Sequence, residues 1–445
     1  MTARSIVLVV LVALVACSSA AAAPVAPVVP TTSVRTPAFP FGAGERATAL
    51  AAISAAIQRD YVDAPMRAVL VDKLAAADHA GRYTTSDPSV FAERITEDMR
   101  AASHDRHMWM TVDPAAYAAA RAPTQSDDGA DAFHRRAALR AHHGIGELRR
   151  LPGNLRYLKI TAFDWIDDET GAVYDDAIRF LKDGDAIIID LRGNPGGSHA
   201  AVRYLVSHFL PGDVLLLTFL HSGEAPKQSH SLENLPAGRL IGKPLYVLTD
   251  EYTGSAAEEF AYHVAQWKLG ELVGARTAGA ANNNKLVPIA PGFTLSVSFG
   301  RPVHAISGTN WDGVGVTPTV AVPANRALAS AQHLALRKLA AMPSATKDTL
   351  AEYAWASVSV EAALHPARVS VAQLAGNYGE AKVTLRDGEL WFQRANRPPL
   401  ELSPLTTDGL FAVAGTDSVR IRLDGRAAEV MWVDDASSRV YARSK

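Results

Sequence analysis

The sequence has little cysteine and no surplus of charge, and both absences narrow what the protein can be. Cys17 is the only cysteine among 445 residues, which excludes an intramolecular disulfide. The formal net charge is −2 at pH 7, so the chain lacks the basic surplus that binding to nucleic acid requires. We therefore expect no nucleic-acid partner. The chain is also longer than a single hydrophobic core usually supports, which predicts more than one domain.

Motifs for cofactors and metals are missing as well. Neither the G-x-G-x-x-G nor the G-x-x-x-x-G-K-[ST] spacing of nucleotide sites occurs, and there is no H-E-x-x-H. His142 and His143 are adjacent, and neighbouring side chains on a helix point about 100° apart. We expect neither a cofactor nor a metal site.

The N-terminus has the pattern of an export signal. Arg4 precedes an apolar segment, residues 6–16, that is too short to span a bilayer, and small residues follow. We expect a signal peptide and a location in the bacterial periplasm or cell envelope. Leu14-Val-Ala-Cys17 resembles the lipobox, where lipid joins the cysteine and attaches the protein to the membrane. The alternative is cleavage after residues 20–22 and release of a soluble protein.

Periodicity and composition divide the chain into regions. Asp87-Pro88 predicts a helix start, and the following apolar residues recur at helical spacing. The central region alternates short apolar runs, such as residues 186–190, with helical patterns, which indicates an α/β domain. The predicted segments are a signal peptide (1–23), a linker (24–43), a helical domain (44–112), a linker or flap (113–143), an α/β domain (144–342), a helical connector (343–368) and an accessory β domain (369–445).

Two strand patterns are especially clear. Leu295, Val297 and Phe299 alternate with polar residues, which predicts a strand with one solvated face. In the last region, Asp-Gly pairs separate β-prone runs, and Asp-Gly is a strong signal for a hairpin between antiparallel strands. These pairs are Asp387-Gly388, Asp408-Gly409 and Asp424-Gly425.

One stretch of the sequence has the pattern of a catalytic site. A β-rich run stops at Gly254 and passes directly into a helix that begins at Ser255. Free N–H groups at the positive end of that helix could stabilise the oxyanion formed when the serine attacks a carbonyl. Ser255 and Glu258 also fit a capping box, which is a purely structural interpretation. Gly196-Gly197, after a predicted strand, suits either a tight turn or backbone amides that approach a ligand.

A serine nucleophile requires a base and a group that orients the base. His104 and His107, close together at the end of the helical region, are candidates, and so is Lys285 if burial lowers its pKa. Lys285 lies in a polar segment, where an ammonium is more often solvated. Asp312 could orient a histidine, although aspartate before glycine is also a common turn.

Three separated motifs together resemble peptidase family S41, the tail-specific or C-terminal processing proteases. They are Asp190-Leu-Arg-Gly-Asn-Pro-Gly-Gly197, Gly254-Ser-Ala-Ala-Glu258 and Trp311-Asp-Gly-Val-Gly-Val-Thr-Pro318. Arg59-Asp-Tyr-Val62 and Ser103-His-Asp-Arg-His107 are more similar to the branch that includes interphotoreceptor retinoid-binding protein and the core of tricorn protease. The likeness covers residues 44–322 approximately and implies a crotonase-like, ClpP-like ββα core.

The resemblance also implies roles for residues. Ser255 would be the nucleophile, with Ala256 and an amide of Gly196 or Gly197 forming the oxyanion hole. Members with a Ser-Lys dyad carry lysine in a Gly-Lys-Gly triplet, where this chain has Ala280. The arrangement of serine, histidine and acid is therefore favoured. It maps onto Ser255, His107 and Asp312, which replaces the usual glutamate, with Lys285 and His104 as alternative bases.

We expect an exported serine endopeptidase that hydrolyses peptides or unfolded proteins through an acyl-enzyme on Ser255. The alternative is a catalytically degenerate S41-like protein that binds hydrophobic, retinoid-like ligands. Thr319 stands where the family generally has aspartate, and no segment before residue 155 matches a PDZ module. The substrate, the cleavage preference, the role of the last domain and the oligomeric state are left open.

Overall fold

The computed structural model describes residues 39–121, 135–433 and 437–444. The chain from Ala38 to Lys445 forms one compact unit. The predicted signal peptide, Cys17 and most of the first linker lie outside the described residues, so export and lipid attachment stay predictions. In the described part of the chain, no helix is long and apolar enough to cross a membrane.

The helices follow the predicted periodicity closely. Asp87 accepts a hydrogen bond from Ser89 N–H at 2.8 Å, and Pro88 occupies the first helical position, as expected for this start signal. Residues 114–121, predicted to lie in a linker or flap, are helical and pack against two strands. The helices are α1 (Ala43–Asp60), α2 (Ala64–His79), α3 (Pro88–Ser103), α4 (Pro114–Arg121), α5 (Asp167–Lys182), α6 (His199–Ser207), α7 (Ala256–Gln266), α8 (Ala327–Ala340) and α9 (Lys347–Leu364).

The strands form three sheets. The first contains β1 (Trp109–Val112), β5 (Leu215–His221), β6 (Lys227–His230), β9 (Asn283–Ile289) and β10 (Phe293–His304). The second has the order β11-β8-β7-β4-β3-β2 and contains β2 (Ile145–Leu151), β3 (Leu155–Ile160), β4 (Ala186–Asp190), β7 (Leu245–Thr249), β8 (Glu271–Gly274) and β11 (Val320–Ala321). The third contains β12 (Gly376–Tyr378), β13 (Ala381–Arg386), β14 (Glu389–Arg394), β15 (Leu400–Pro404), β16 (Leu410–Val413), β17 (Thr416–Leu423), β18 (Ala427–Trp432) and β19 (Ser438–Ala442).

The second sheet is the centre of the predicted α/β region. Strands β3, β4, β7, β8 and β11 run parallel, and β2 is antiparallel to β3. Ile187 and Ile189 of β4 pack into the core under α5, α6 and α7, whereas Ile188 packs into the core under α8 and α9. Alternate side chains of a strand point to opposite faces, so a run that is apolar at every position needs helices on both faces.

The first sheet connects the helical region to this core. Strand β1, which follows α3, pairs with β10. The prediction that β10 has one solvated face was wrong, because Thr294, Ser296 and Ser298 are buried as completely as their apolar neighbours. Ser296 Oγ donates to the backbone oxygen of His107 at 2.6 Å. The buried polar face of β10 therefore fixes the backbone of a predicted site residue.

The third sheet is an up-and-down meander in which each strand pairs with its neighbour in the sequence. Asp387-Gly388, Asp408-Gly409 and Asp424-Gly425 lie in connections between these strands, which confirms the predicted hairpins. Tyr378 on the first strand bridges to Arg443 after the last strand. The N–H of Ser444 also donates to the oxygen of Asn377 at 2.9 Å. These contacts join the two ends of the meander into a barrel.

A buried arginine holds the barrel against α9. Arg420 is 4% exposed, and its guanidinium carbon lies 4.1 Å from the centre of the Trp355 ring. It also donates to Ser359 Oγ at 3.0 Å. A desolvated cation–π contact contributes about 2 kcal/mol.

We expect Arg420→Ala to lower the free energy of unfolding by about that amount in a denaturant titration. Arg426→Ala, at an exposed position of the same barrel, is the control, and an equal loss in both variants would contradict this account.

Candidate functional site

The candidate site lies where β4 and β7 end. Because the two strands are parallel neighbours, the turns that follow them meet at one edge of the sheet. Gly193 N–H donates to Asp250 Oδ1 at 3.0 Å, and Gly254 N–H donates to the oxygen of Asn194 at 2.9 Å. These bonds fix the glycine-rich turn against the turn that carries Ser255.

Ser255 occupies a strained backbone conformation at the start of α7. Its φ is 49° and its ψ is −119°, a region that residues with a side chain rarely adopt. Its N–H donates to Glu258 Oε2 at 3.0 Å, which is the glutamate half of the predicted capping box. Ser255 Oγ has no hydrogen bond that meets the usual distance and angle limits among the described residues, and the residue is half-buried. The hydroxyl is therefore left for another role.

Glu258 ties this serine to a second loop. Its buried carboxylate accepts hydrogen bonds from Thr277 Oγ1 at 2.5 Å, Gly279 N–H at 2.6 Å and Ala280 N–H at 2.8 Å, in addition to Ser255 N–H. Burial raises the pKa of Glu258, and these hydrogen bonds oppose that rise. The side chain thus acts as a clamp between α7 and residues 277–280, a role that the sequence indicated only as helix capping.

The predicted oxyanion-hole residues lie together beside Ser255. A Cβ placed on Gly196 would come within 2.6 Å of Ser255 Cβ and 2.9 Å of Ala256 N, so the glycine backbone lies against the serine. Gly196 N–H donates to Asn194 Oδ1 at 2.8 Å and is occupied. For the N–H groups of Gly197 and Ala256, the described residues supply no acceptor. Gly197 and Ala256 are therefore the pair with amides open to a ligand.

The loop after α3 places His107 next to two carboxylates. Its N–H donates to Asp105 Oδ1 at 2.8 Å, and its Nδ1 lies 4.0 Å from the same oxygen. One nitrogen of His107 and one oxygen each of Asp105 and Asp312 lie within 4.8 Å of one another. Asn282 Nδ2 donates to Asp105 at 2.9 Å and to Asp312 at 3.0 Å. The predicted histidine and acid are thus neighbours. A metal ion at this position would have to bind the same two carboxylates that already accept hydrogen bonds from Asn282.

Electrostatics in this cluster favour neutral groups. Burial, together with the nearby Asp105 carboxylate, raises the pKa of Asp312 to about 7, although backbone hydrogen bonds oppose part of the rise. Burial lowers the pKa of His107, against the opposite effect of Asp105. The Nδ1 atom of His107 is buried and has no hydrogen-bond partner among the described residues. A neutral imidazole at this position suits a general base.

Three consecutive residues connect the two halves of the site. Ala280 N–H donates to Glu258, Ala281 N–H donates to Asp312 Oδ1 at 3.0 Å, and Asn282 donates to the two aspartates. No hydrogen bond between His107 and Ser255 occurs among the described residues. The structure therefore brings the predicted histidine and acid together, and it links them to the serine through residues 280–282 and Glu258.

Neither alternative base has a hydrogen bond or an ion pair with Ser255 among the described residues. Lys285 lies on β9, and its Nζ forms an ion pair with Asp60 at 2.9 Å. No contact joins Lys285 to Ser255 in the described chain. His104 is exposed and ends α3 in a left-handed conformation, with a φ of 58°. Thr319, where the family generally has aspartate, exchanges hydrogen bonds with the backbone of Leu272 at 2.9 and 3.0 Å. Its contacts are structural.

Asp105 and Asn282 are the residues that sequence reasoning missed. Asp105 is fully buried and stands two residues before His107, a spacing that lets an aspartate accept the N–H of the second residue after it. That spacing is a usable signal. No such signal identified Asn282, because the residues that it contacts, 105 and 312, are distant from it in the sequence.

The close approach of Gly196 gives a sharp prediction. Gly196→Ala places a methyl group against Ser255 and Ala256, so we expect kcat/KM for peptide hydrolysis to fall about 100-fold, a loss that a 1 Å displacement in an active site can cause. Gly193 also has positive φ, 72°, but a Cβ placed there would have no neighbouring heavy atom within 4 Å. Gly193→Ala is therefore the matched control. Equal activities of the two variants would show that this contact is unimportant.

Comparison with known proteins agrees with the geometry. Residues 154–322 match the model of peptidase family S41. The chain is 25% identical over 170 residues to carboxy-terminal processing protease CtpB of Bacillus subtilis (strain 168), covering 37% of this chain and 33% of that protein. It is 26% identical over 170 residues to the chloroplastic carboxyl-terminal-processing peptidase 3 of Arabidopsis thaliana, covering 37% and 31%. The chain thus spans about a third of the length of these curated relatives.

A solved structure, the photosystem II D1 C-terminal processing protease, aligns with a TM-score of 0.42 at 15% identity, covering 64% of this chain and 94% of that chain. The sequence match defines the class of this region. Residues 154–322 belong to peptidase family S41, which confirms the resemblance predicted from the three motifs. The predicted fold class, an α/β core with a preceding helical region and a C-terminal antiparallel β domain, is confirmed as well.

Proposed function

We propose that this protein is a serine endopeptidase that hydrolyses peptide bonds of peptides or unfolded proteins through an acyl-enzyme on Ser255. The observation that carries the proposal is the placement of Ser255. It stands at a strained helix start, its hydroxyl is not used for capping, and the amides of Ala256 and Gly197 nearby have no acceptor in the described chain. Membership of the core in a peptidase family supports the same reaction class.

In the proposed mechanism, Ser255 Oγ attacks the scissile carbonyl carbon while His107 takes the hydroxyl proton. The carbonyl oxygen becomes an oxyanion that accepts hydrogen bonds from the N–H groups of Ala256 and Gly197. His107 then gives its proton to the leaving amine, and water hydrolyses the acyl-enzyme by the same route. Ionised Asp312 would stabilise the imidazolium. The mechanism requires His107 and Ser255 to reach hydrogen-bond distance when substrate binds, since apo sites often tighten only then.

The alternative expectation, a degenerate protein that holds a hydrophobic ligand in this cleft, is not favoured. A degenerate site would have no need to keep a neutral imidazole beside Asp312 and unpaired amides beside Ser255. The Nδ1 atom of His107 is buried without a partner in the described chain, and such an atom destabilises a fold, so its presence favours a function.

The proposal is tested by incubating the folded chain with a reduced, alkylated protein and identifying the fragments by mass spectrometry. We expect new termini at internal positions of the substrate, which defines an endopeptidase. Stepwise loss of C-terminal residues alone would instead indicate an exopeptidase, and an intact substrate would contradict peptidase activity.

A further inference from the structure

The C-terminal barrel contains a cavity at one end. Its volume is about 200 Å³, and it lies among the ends of β14, β16 and β18 and the starts of β15 and β17. Eight-stranded antiparallel barrels can enclose one small ligand in this way. The lining residues are Phe392, Arg394, Arg397, Pro398, Leu400, Val413, Val419, Ile421, Val430 and Trp432.

The walls of the cavity are apolar because of strand register. Val419 lies opposite Trp432, and Ile421 lies opposite Val430, so these side chains share one face of the sheet. Elsewhere in the barrel the interior is filled, and Tyr378 and Phe411 are fully buried there. The cavity is thus a local opening in a packed barrel.

Two guanidinium groups complete the lining. Arg394 is half-buried and Arg397 is exposed, and within the described chain neither side chain has a hydrogen-bond or ion-pair partner. Arg422 of the same barrel, by contrast, forms an ion pair with Asp408 at 2.5 Å. Arg394 and Arg397 therefore place two positive charges at an apolar cavity, and a guanidinium group binds a carboxylate through charge-assisted hydrogen bonds.

The loop that carries these arginines is held by its own hydrogen bonds. The N–H of Arg397 donates to the oxygen of Arg394 at 3.0 Å, and Gln393 Nε2 donates to the oxygen of Arg397 at 2.9 Å. Ala395 N–H donates to the oxygen of Glu380 at 2.9 Å, which fastens the loop to the neighbouring hairpin. The two cations are therefore presented on a preorganised backbone.

We propose that the barrel binds a small amphipathic anion, namely a medium-chain aliphatic carboxylate. Its tail lies between Phe392, Val413 and Trp432, and its carboxylate pairs with Arg394 and Arg397. A dry cavity of about 150 Å³ holds a benzene molecule, so a cavity of about 200 Å³ accepts a short alkyl chain. Arginine matches the planar carboxylate through two parallel N–H···O bonds.

This site is independent of the proposed peptidase function. None of the lining residues belongs to the cluster around Ser255, and the barrel has its own hydrophobic core. Loss of peptide hydrolysis in a Ser255 variant would leave the ligand site unchanged, so the two proposals can fail separately.

The test is calorimetric titration of the full chain with sodium octanoate, and in parallel with 1-octanol and octylamine. We expect saturable binding of octanoate to one site per chain. In the double variant Arg394→Gln and Arg397→Gln, octanoate affinity should fall at least tenfold while 1-octanol affinity stays within about threefold. Arg426→Gln, an exposed arginine of the same barrel outside the lining, is the matched control and should bind as the parent chain does.

A second variant checks the position of the tail. Val419→Phe fills space at a half-buried wall position and should weaken octanoate and 1-octanol alike by at least tenfold. The melting temperature of each variant shows that it is folded. Absence of octanoate binding to the parent chain, equal binding of octylamine, or unchanged affinity in the double glutamine variant would each overturn the proposal.

Discussion

Ser255→Ala is expected to lower kcat/KM for peptide hydrolysis by about 10⁴- to 10⁶-fold, because the proposed mechanism has no other nucleophile. The change deletes only a hydroxyl that makes no capping hydrogen bond. We therefore expect the free energy of unfolding to change by less than about 1 kcal/mol, at the low end of the cost of losing a helix cap. Initial rates on a fluorogenic peptide, with substrate chosen from the identified cleavage sites, measure the loss.

The control for this prediction is Ser344→Ala, which removes an exposed hydroxyl far along the chain. It should leave the rate unchanged. If the Ser255 variant kept activity within tenfold of the parent chain while remaining folded, Ser255 would not be the nucleophile, and attack by an activated water would have to be considered.

Asp312→Asn is expected to change both the rate and its pH dependence. Hydrolysis requires neutral His107 and ionised Asp312. Burial lowers the pKa of His107, whereas burial and Asp105 raise the pKa of Asp312 to about 7. Ionisation of Asp312 therefore limits the parent enzyme, and kcat/KM should rise with pH through a midpoint near 7. Because the ionisations of His107, Asp105 and Asp312 affect one another, the midpoint of this rise describes the cluster as a whole.

In the asparagine variant the carboxylate is gone, so kcat should fall about 10⁴-fold, as it does when the acid of a serine-histidine-acid site is removed. The remaining limb should move to lower pH, where His107 loses its proton. Asp312→Glu keeps a carboxylate and is the matched control, with a limb near that of the parent. A limb that stays in place in Asp312→Asn would show that another group controls the reaction.

Local signals in the sequence were sufficient for much of the fold. Asp87-Pro88 defined a helix start because its cap is made within three residues, and Asp-Gly pairs defined hairpins for the same reason. The apolar run of β4 was recognisable because helices cover both of its faces. Ser255 and Gly196-Gly197 were identifiable because each follows a strand and begins a new element.

Features that depend on distant partners were not predictable. The alternation in β10 indicated a solvated face, yet Ser296 is buried because it bonds the backbone of His107, far away in the sequence. The contacts of Asn282 with two aspartates and the closure of the barrel between Tyr378 and Arg443 have the same origin. The choice between Gly196 and Gly197 depended on a single bond to Asn194. Tertiary packing decides such details, and no local pattern records it.

The central claim, that Ser255 is an activated nucleophile, is tested most directly with a fluorophosphonate probe. The probe loses fluoride when a serine oxygen attacks its phosphorus, and digestion with mass spectrometry identifies the modified residue. The account predicts one adduct on the peptide that contains Ser255, absent from Ser255→Ala and formed more slowly in Asp312→Asn. No adduct on the folded parent chain, or an adduct on another serine that persists in Ser255→Ala, would contradict it.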